Sequence, residues 1–102
     1  MPIKPVYPFS AELIAGAPNA AGVYALWERE ELIYIGCAPG GRSTIRSNLV
    51  DHYAGTRGPW TQYATRYGWE LSLQPQAREL ELLAEYEGQF QRLPRCNRSP
   101  SL

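Results

Sequence analysis

Alternation and four-residue spacing divide the chain into short strands and two longer helices. Apolar, β-branched and aromatic residues crowd Gly22 to Trp27 and again Leu32 to Cys37, so both segments read as strands. The charged Glu28-Arg29-Glu30-Glu31 between them suits a turn. No Asn-Gly or Asp-Gly lies there, which predicts a three- to five-residue loop centred on Arg29 rather than a two-residue primed turn. Such a loop sets Tyr24 opposite Tyr34, with both phenols on one sheet face. Further on, Ile45, Leu49 and Tyr53 recur at four-residue spacing. They predict a helix from Thr44 to about Ala54, with Ser43 as N-cap and Gly55 just past its end. His52 and Asn48 lie along one edge of that stripe, and Arg46 lies along the other. Tyr67, Trp69, Leu71 and Leu73 alternate with Gly68, Glu70 and Ser72, a third strand that Pro75 ends. Ala77 to Phe90 reads as the second long helix, with Leu82, Leu83, Tyr86 and Phe90 as its apolar stripe, and Pro94 prevents its continuation.

Toward the N-terminus, Pro2, Pro5 and Pro8 hold residues 1–9 as an extended arm. Ser10 caps a short helix, Ala11 to Ala15, which Gly16 and Pro18 end. The order (α)-β-β-α-β-α implies an α+β fold: a small three-stranded, mainly antiparallel sheet with helices laid over one side. At 102 residues, the chain is expected to form one domain over residues 10–102 behind the arm.

Composition narrows the function classes. The net charge is zero, so no strong overall field draws the chain to DNA. The charge is uneven, however. Residues 1–40 carry Lys4 and Arg29 against four glutamates, and residues 41–102 carry eight arginines against six acids. The planar fork of arginine suits phosphate. Cys37 and Cys96 form neither a disulfide framework nor a metal set. Reduced thiols in a cytoplasmic protein are expected, with Cys37 packed as a small apolar residue. The proline-rich start does not resemble a signal peptide. No apolar run is long enough to span a bilayer, so no membrane partner is expected.

Gly22-Val23-Tyr24 and Tyr34-Ile35-Gly36 place a tyrosine in each arm of the hairpin. This pair resembles the signature of the GIY-YIG endonuclease family, with Val23 in place of the middle isoleucine of the first half. The order of later segments supports the likeness. A glycine-rich loop, Ala38-Pro39-Gly40-Gly41, follows Gly36. The helix containing Arg46 and His52 comes next, then a helix containing Glu85, and then Leu93-Pro94-Arg95-Cys96-Asn97. The resemblance covers about residues 20 to 97. In the family's DNA-repair incision members, the metal-binding glutamate precedes a Pro-Arg-Tyr-Asn ending by the spacing seen from Glu85 to Asn97. One departure is that Asn48 stands where the family usually has its catalytic arginine, one helical turn before His52.

The resemblance implies a metal-dependent DNA endonuclease. It makes Glu85 the ligand for Mg²⁺ or Mn²⁺, and magnesium needs only one or two carboxylates besides water and phosphate. Tyr24 becomes the general base and Tyr34 its hydrogen-bonded neighbour. Because a free phenol titrates near pH 10, a nearby cation must ease its ionisation. Arg46 or Arg42 would supply that field and clamp the scissile phosphate. His52 would position water or relay a proton, and Asn97 would orient the site. Gly36, Arg42 and Arg95 would approach the DNA. Asn48 also motivates an alternative, a catalytically weakened module of the same fold that binds nucleic acid or a protein partner. The stretch from Gly36 to Ser43 fits a phosphate-loop pattern with arginine in place of lysine. The downstream chain is too short for βαβ units, and the neighbouring strand reads as a hairpin partner.

Overall fold

Strands β2 (Gly22–Glu28) and β3 (Glu31–Ala38) form the hairpin in the computed structural model, which describes Ile3, residues 6–58 and residues 60–97. The connection is tighter than expected. Glu28 pairs with Glu31, leaving only Arg29 and Glu30 in the turn. Arg29 itself adopts the left-handed conformation (φ 59°) that glycine usually supplies. Its amide donates to Thr65 Oγ1 (2.7 Å) and its carbonyl accepts from Arg66 Nη2 (2.9 Å), so tertiary contacts hold a conformation that local propensity disfavours.

The register then slips between Leu26 and Trp27. Trp27 pairs with Leu32 but Leu26 pairs with Tyr34, which leaves Ile33 as an extra residue in a bulge. Tyr24 therefore lies opposite Gly36, not opposite Tyr34. Tyr34 faces Leu26, two residues along from Tyr24, so the two phenols still share a face as diagonal neighbours.

The sheet has four strands where the sequence predicts three. β4 (Arg66–Leu71) pairs along the other side of β2, and β1 (Val6–Pro8) pairs with β4, giving the antiparallel order β1-β4-β2-β3. β1 belongs to the segment read as an arm. Its prolines hide the strand because an edge position tolerates a residue without an N–H. Met1, Pro2, Lys4 and Pro5 of that arm lie outside the described residues.

Helix α1 (Ala11–Ile14) starts at Ser10, whose hydroxyl accepts from the Leu13 amide (3.3 Å). Helix α2 (Ile45–Ala54) starts one residue later than expected, on a reciprocal capping box between Thr44 and Ser47, and ends at Gly55 with φ 82°. Helix α3 (Pro75–Phe90) opens on Pro75, which fits the first turn because it needs no N–H there.

These helices cover both faces of the sheet, not one. Tyr24, Leu26 and Tyr67 pack with Ile14, Ile45 and Leu49 on one side. Val23, Ala25 and Ile35 pack with Leu82 and Tyr86 on the other. Covering both faces explains why β2 reads as a continuous apolar run. A fully buried side chain of this kind contributes about 1.5–3 kcal/mol. Among the described residues, no helix is long and apolar enough to cross a membrane.

Candidate functional site

Gly36 forms the floor of the site. A Cβ there would lie 2.6 Å from both Cζ and Oη of Tyr24 and 2.8 Å from Cε2 of Tyr34. Only a residue without a side chain lets these rings lie against β3. Gly36 is itself buried beneath them, so it shapes the site and is not a surface for substrate.

His52 completes a trio of rings. The Tyr24–Tyr34, Tyr24–His52 and Tyr34–His52 centroids are 6.1, 5.5 and 4.9 Å apart. The expected stripe edge of α2 thus brings both Asn48 and His52 to the hairpin. His52 Nε2 lies 2.9 Å from the Tyr24 hydroxyl, and Nδ1 lies 2.8 Å from Thr61 Oγ1 in a single 3₁₀ turn, Thr61–Tyr63. Tyr24 is 0% exposed and His52 1% exposed, whereas Tyr34 is only half-buried. Any group that meets a substrate here is therefore Tyr34 rather than Tyr24.

The hydrogen-bond network assigns a proton order. Beyond burial, Tyr34 raises the Tyr24 phenol, whereas Tyr24 lowers that of Tyr34. Tyr24 donates to Asn48 Oδ1 (3.5 Å) and accepts from His52 Nε2–H, and His52 Nδ1 accepts from the Thr61 hydroxyl. The donors run from Thr61 through His52 and Tyr24 to Asn48 Oδ1. Burial is the largest influence on both phenols and raises both. Burial, with the Arg57 charge second, pushes His52 down to about 4, so the ring is neutral at neutral pH.

Arg57 is the cation that the sequence reading missed. Its Nη1 donates to Asn48 Oδ1, and the Asn48 amide in turn donates to Ser43 Oγ (2.9 Å) and to the Thr44 carbonyl (2.9 Å). The Tyr24 hydroxyl is a further, longer neighbour of Asn48 Oδ1 (3.5 Å). Asn48 therefore does not leave the arginine position empty. It holds a guanidinium delivered from the loop beyond α2. That charge lowers the pKa of Tyr24 and Tyr34 against the effect of burial.

The arginines favoured by the sequence lie elsewhere. Arg46 Nε donates to the Ala17 carbonyl (2.8 Å) and ties α2 to the chain before β2. Arg42 is exposed, on the turn that Gly40 and Ser43 close with two backbone bonds. Arg95 is paired with Glu28 and Glu31. Asn97 makes two backbone bonds to Ile35 of β3: Oδ1 accepts from its amide (2.8 Å) and Nδ2 donates to its carbonyl (2.9 Å). It positions the strand that carries Tyr34 from outside the ring trio.

Glu85 is exposed. The acid that acts on the site is Glu79. It lies within about 15° of the centre of the Leu82, Leu83 and Tyr86 stripe, and Glu85 lies about 110° away from that centre. From the α3 side of edge strand β3, Glu79 raises the Tyr34 phenol. On the same side, burial first and the Glu79 charge second push the Cys37 thiol up to about 11. A charged residue on an apolar stripe was the available signal.

Among the described residues, no group of three His, Cys, Asp or Glu side chains gathers to hold a metal. Both nitrogens of His52 are engaged. Glu79 is a carboxylate whose charge reaches Tyr34, and a magnesium ion held mainly by water and phosphate needs only one or two such ligands. No family model, curated protein or solved structure matches the chain.

Proposed function

We propose that this chain is a small phosphodiesterase acting on nucleic acid, of the GIY-YIG endonuclease type. The observation that carries this is the meeting of two phenols, an imidazole and a guanidinium over Gly36, at the place where the resemblance to that family puts its active site. Tyr34 takes the role of base that the resemblance implied for Tyr24, because Tyr34 is the phenol within reach of water. Its proton leaves to solvent. The Arg57 charge then holds the phenolate, which takes a proton from the attacking water. As the water oxygen bonds to phosphorus, the opposite P–O bond breaks and the leaving alkoxide is protonated by solvent. Arg57 offsets the charge on the phosphate oxygens. Glu79 would hold a divalent ion, which would supply further positive charge at the phosphate. Tyr24, His52 and Thr61 are positioning residues.

The test is incubation of the protein with supercoiled, branched and single-stranded DNA in Mg²⁺ or Mn²⁺. Nicking that disappears in Tyr34→Phe and Arg57→Ala is the expected result, and absence of cleavage in the parent overturns it. Asn48 in the arginine position and the zero net charge favour a second reading, a binding module without cleavage. Salt-sensitive DNA binding without nicking would establish that one.

A further inference from the structure

A cavity of about 520 Å³ opens beside the Thr61–Tyr63 turn, lined by Glu28, Trp60, Tyr63, Arg95 and Cys96. Trp60 is 67% exposed and Tyr63 59% exposed, so neither ring contributes its full area to the core. Between them stands Thr61, which is 4% exposed and fixed on His52. The inward residue of this turn bonds a member of the ring trio, while its outward neighbours line the cavity. Arg57 lies earlier in the same loop and reaches Asn48. One short segment therefore presents a phosphate-binding cation and two aromatic faces.

We propose that this cavity receives an unstacked nucleobase, so that the chain engages unpaired rather than duplex strands; the inference rests on the phosphodiesterase assignment above. The size suits a small-molecule ring, since ligand pockets span about 300–1,000 Å³. Aromatic faces at a cavity mouth match the chemistry of a base, every one of which has a π-face. Glu28 and Arg95, bound to each other, give the wall a polar edge with spare carboxylate lone pairs for a base's N–H groups. The net charge of zero limits how much phosphate attraction alone can supply, and stacking provides sequence-tolerant affinity in its place. Bases inside a duplex are already stacked and offer no free face.

The experiment measures fluorescence anisotropy of the full chain in EDTA, where cleavage is suppressed. The probes are a labelled oligo-dT, an abasic deoxyribose-phosphate strand of the same length, and a duplex. Oligo-dT should bind about tenfold or more tightly than the other two. Trp60→Ala and Tyr63→Ala should each weaken oligo-dT binding while leaving the abasic strand unchanged. Equal binding of oligo-dT and abasic strand, or full oligo-dT affinity in Trp60→Ala, overturns the proposal. Base-dependent binding without cleavage in Mg²⁺ supports the base site and rejects the catalytic assignment. Cleavage that proceeds equally in Trp60→Ala and on abasic strand does the reverse.

Discussion

The guanidinium of Arg57 donates to the side-chain oxygen of Asn48, a residue on α2 nine positions earlier. An exposed loop residue thus delivers its charge to a buried amide beside two phenols. Arg57→Ala should reduce DNA cleavage about 100- to 1,000-fold, the usual cost of losing one transition-state donor. The melting temperature should fall only modestly, because the Tyr24 hydroxyl remains as a donor to the buried Asn48 Oδ1 (3.5 Å). Arg46→Ala should do the opposite, costing about 1–3 kcal/mol of stability through the orphaned Ala17 carbonyl while sparing activity. Equal activity loss in both variants would contradict the assignment.

Glu79→Gln removes a negative charge from beside the Cys37 thiol. In a Cys96→Ser background, alkylation of Cys37 by iodoacetamide at mildly alkaline pH should accelerate several-fold, since the thiolate becomes easier to form. Mg²⁺-dependent cleavage should fall in the same variant. Glu85→Gln should alter neither measurement. Unchanged Cys37 reactivity in Glu79→Gln would place Glu79 outside the site.

Gly36→Ala should lower the urea midpoint by the equivalent of about 1–3 kcal/mol, because the added methyl overlaps a buried ring that has no room to retreat. Adding Tyr24→Phe should not restore stability, because ring carbon Cζ is as close to the new methyl as the hydroxyl is. Recovery in the double variant would mean that the hydroxyl alone sets the limit.

His52 gives the fold a pH-dependent stability. Its folded pKa of about 4 lies below the ordinary 6.5, so the unfolded chain binds the extra proton first as pH falls. Stability is unaffected by this group above pH 6.5, declines between 6.5 and about 4, and levels off below that. The total loss is about 3 kcal/mol. Urea titrations across this window should show the slope in the parent and a shallower one in His52→Gln. Identical slopes would mean that other groups dominate.

Much of the architecture was legible from periodicity. The hairpin strands, both long helices and the strand around Tyr67 lie within a few residues of their expected places, because each carries an apolar stripe that must be buried. Three things escaped. The Val6–Pro8 strand is too short for alternation to show and carries a proline. The hairpin register depends on a non-glycine residue in the left-handed conformation and on a bulge at Ile33, both enforced by distant residues such as Thr65. Tyr24, Tyr34 and His52 were legible because regular elements carry them. Arg57 and Thr61 were not, because a loop's reach follows from tertiary packing and leaves no repeat in the sequence.

The two bonds from Asn97 to Ile35 have a consequence for self-association. They occupy donor and acceptor groups that β3, at the margin of the sheet, would otherwise present as a template for another chain. The opposite margin is three residues long and ends in a proline. Neither side invites cross-chain pairing, so a half-buried phenol can stay open to solvent on an edge strand without drawing the molecule into aggregates.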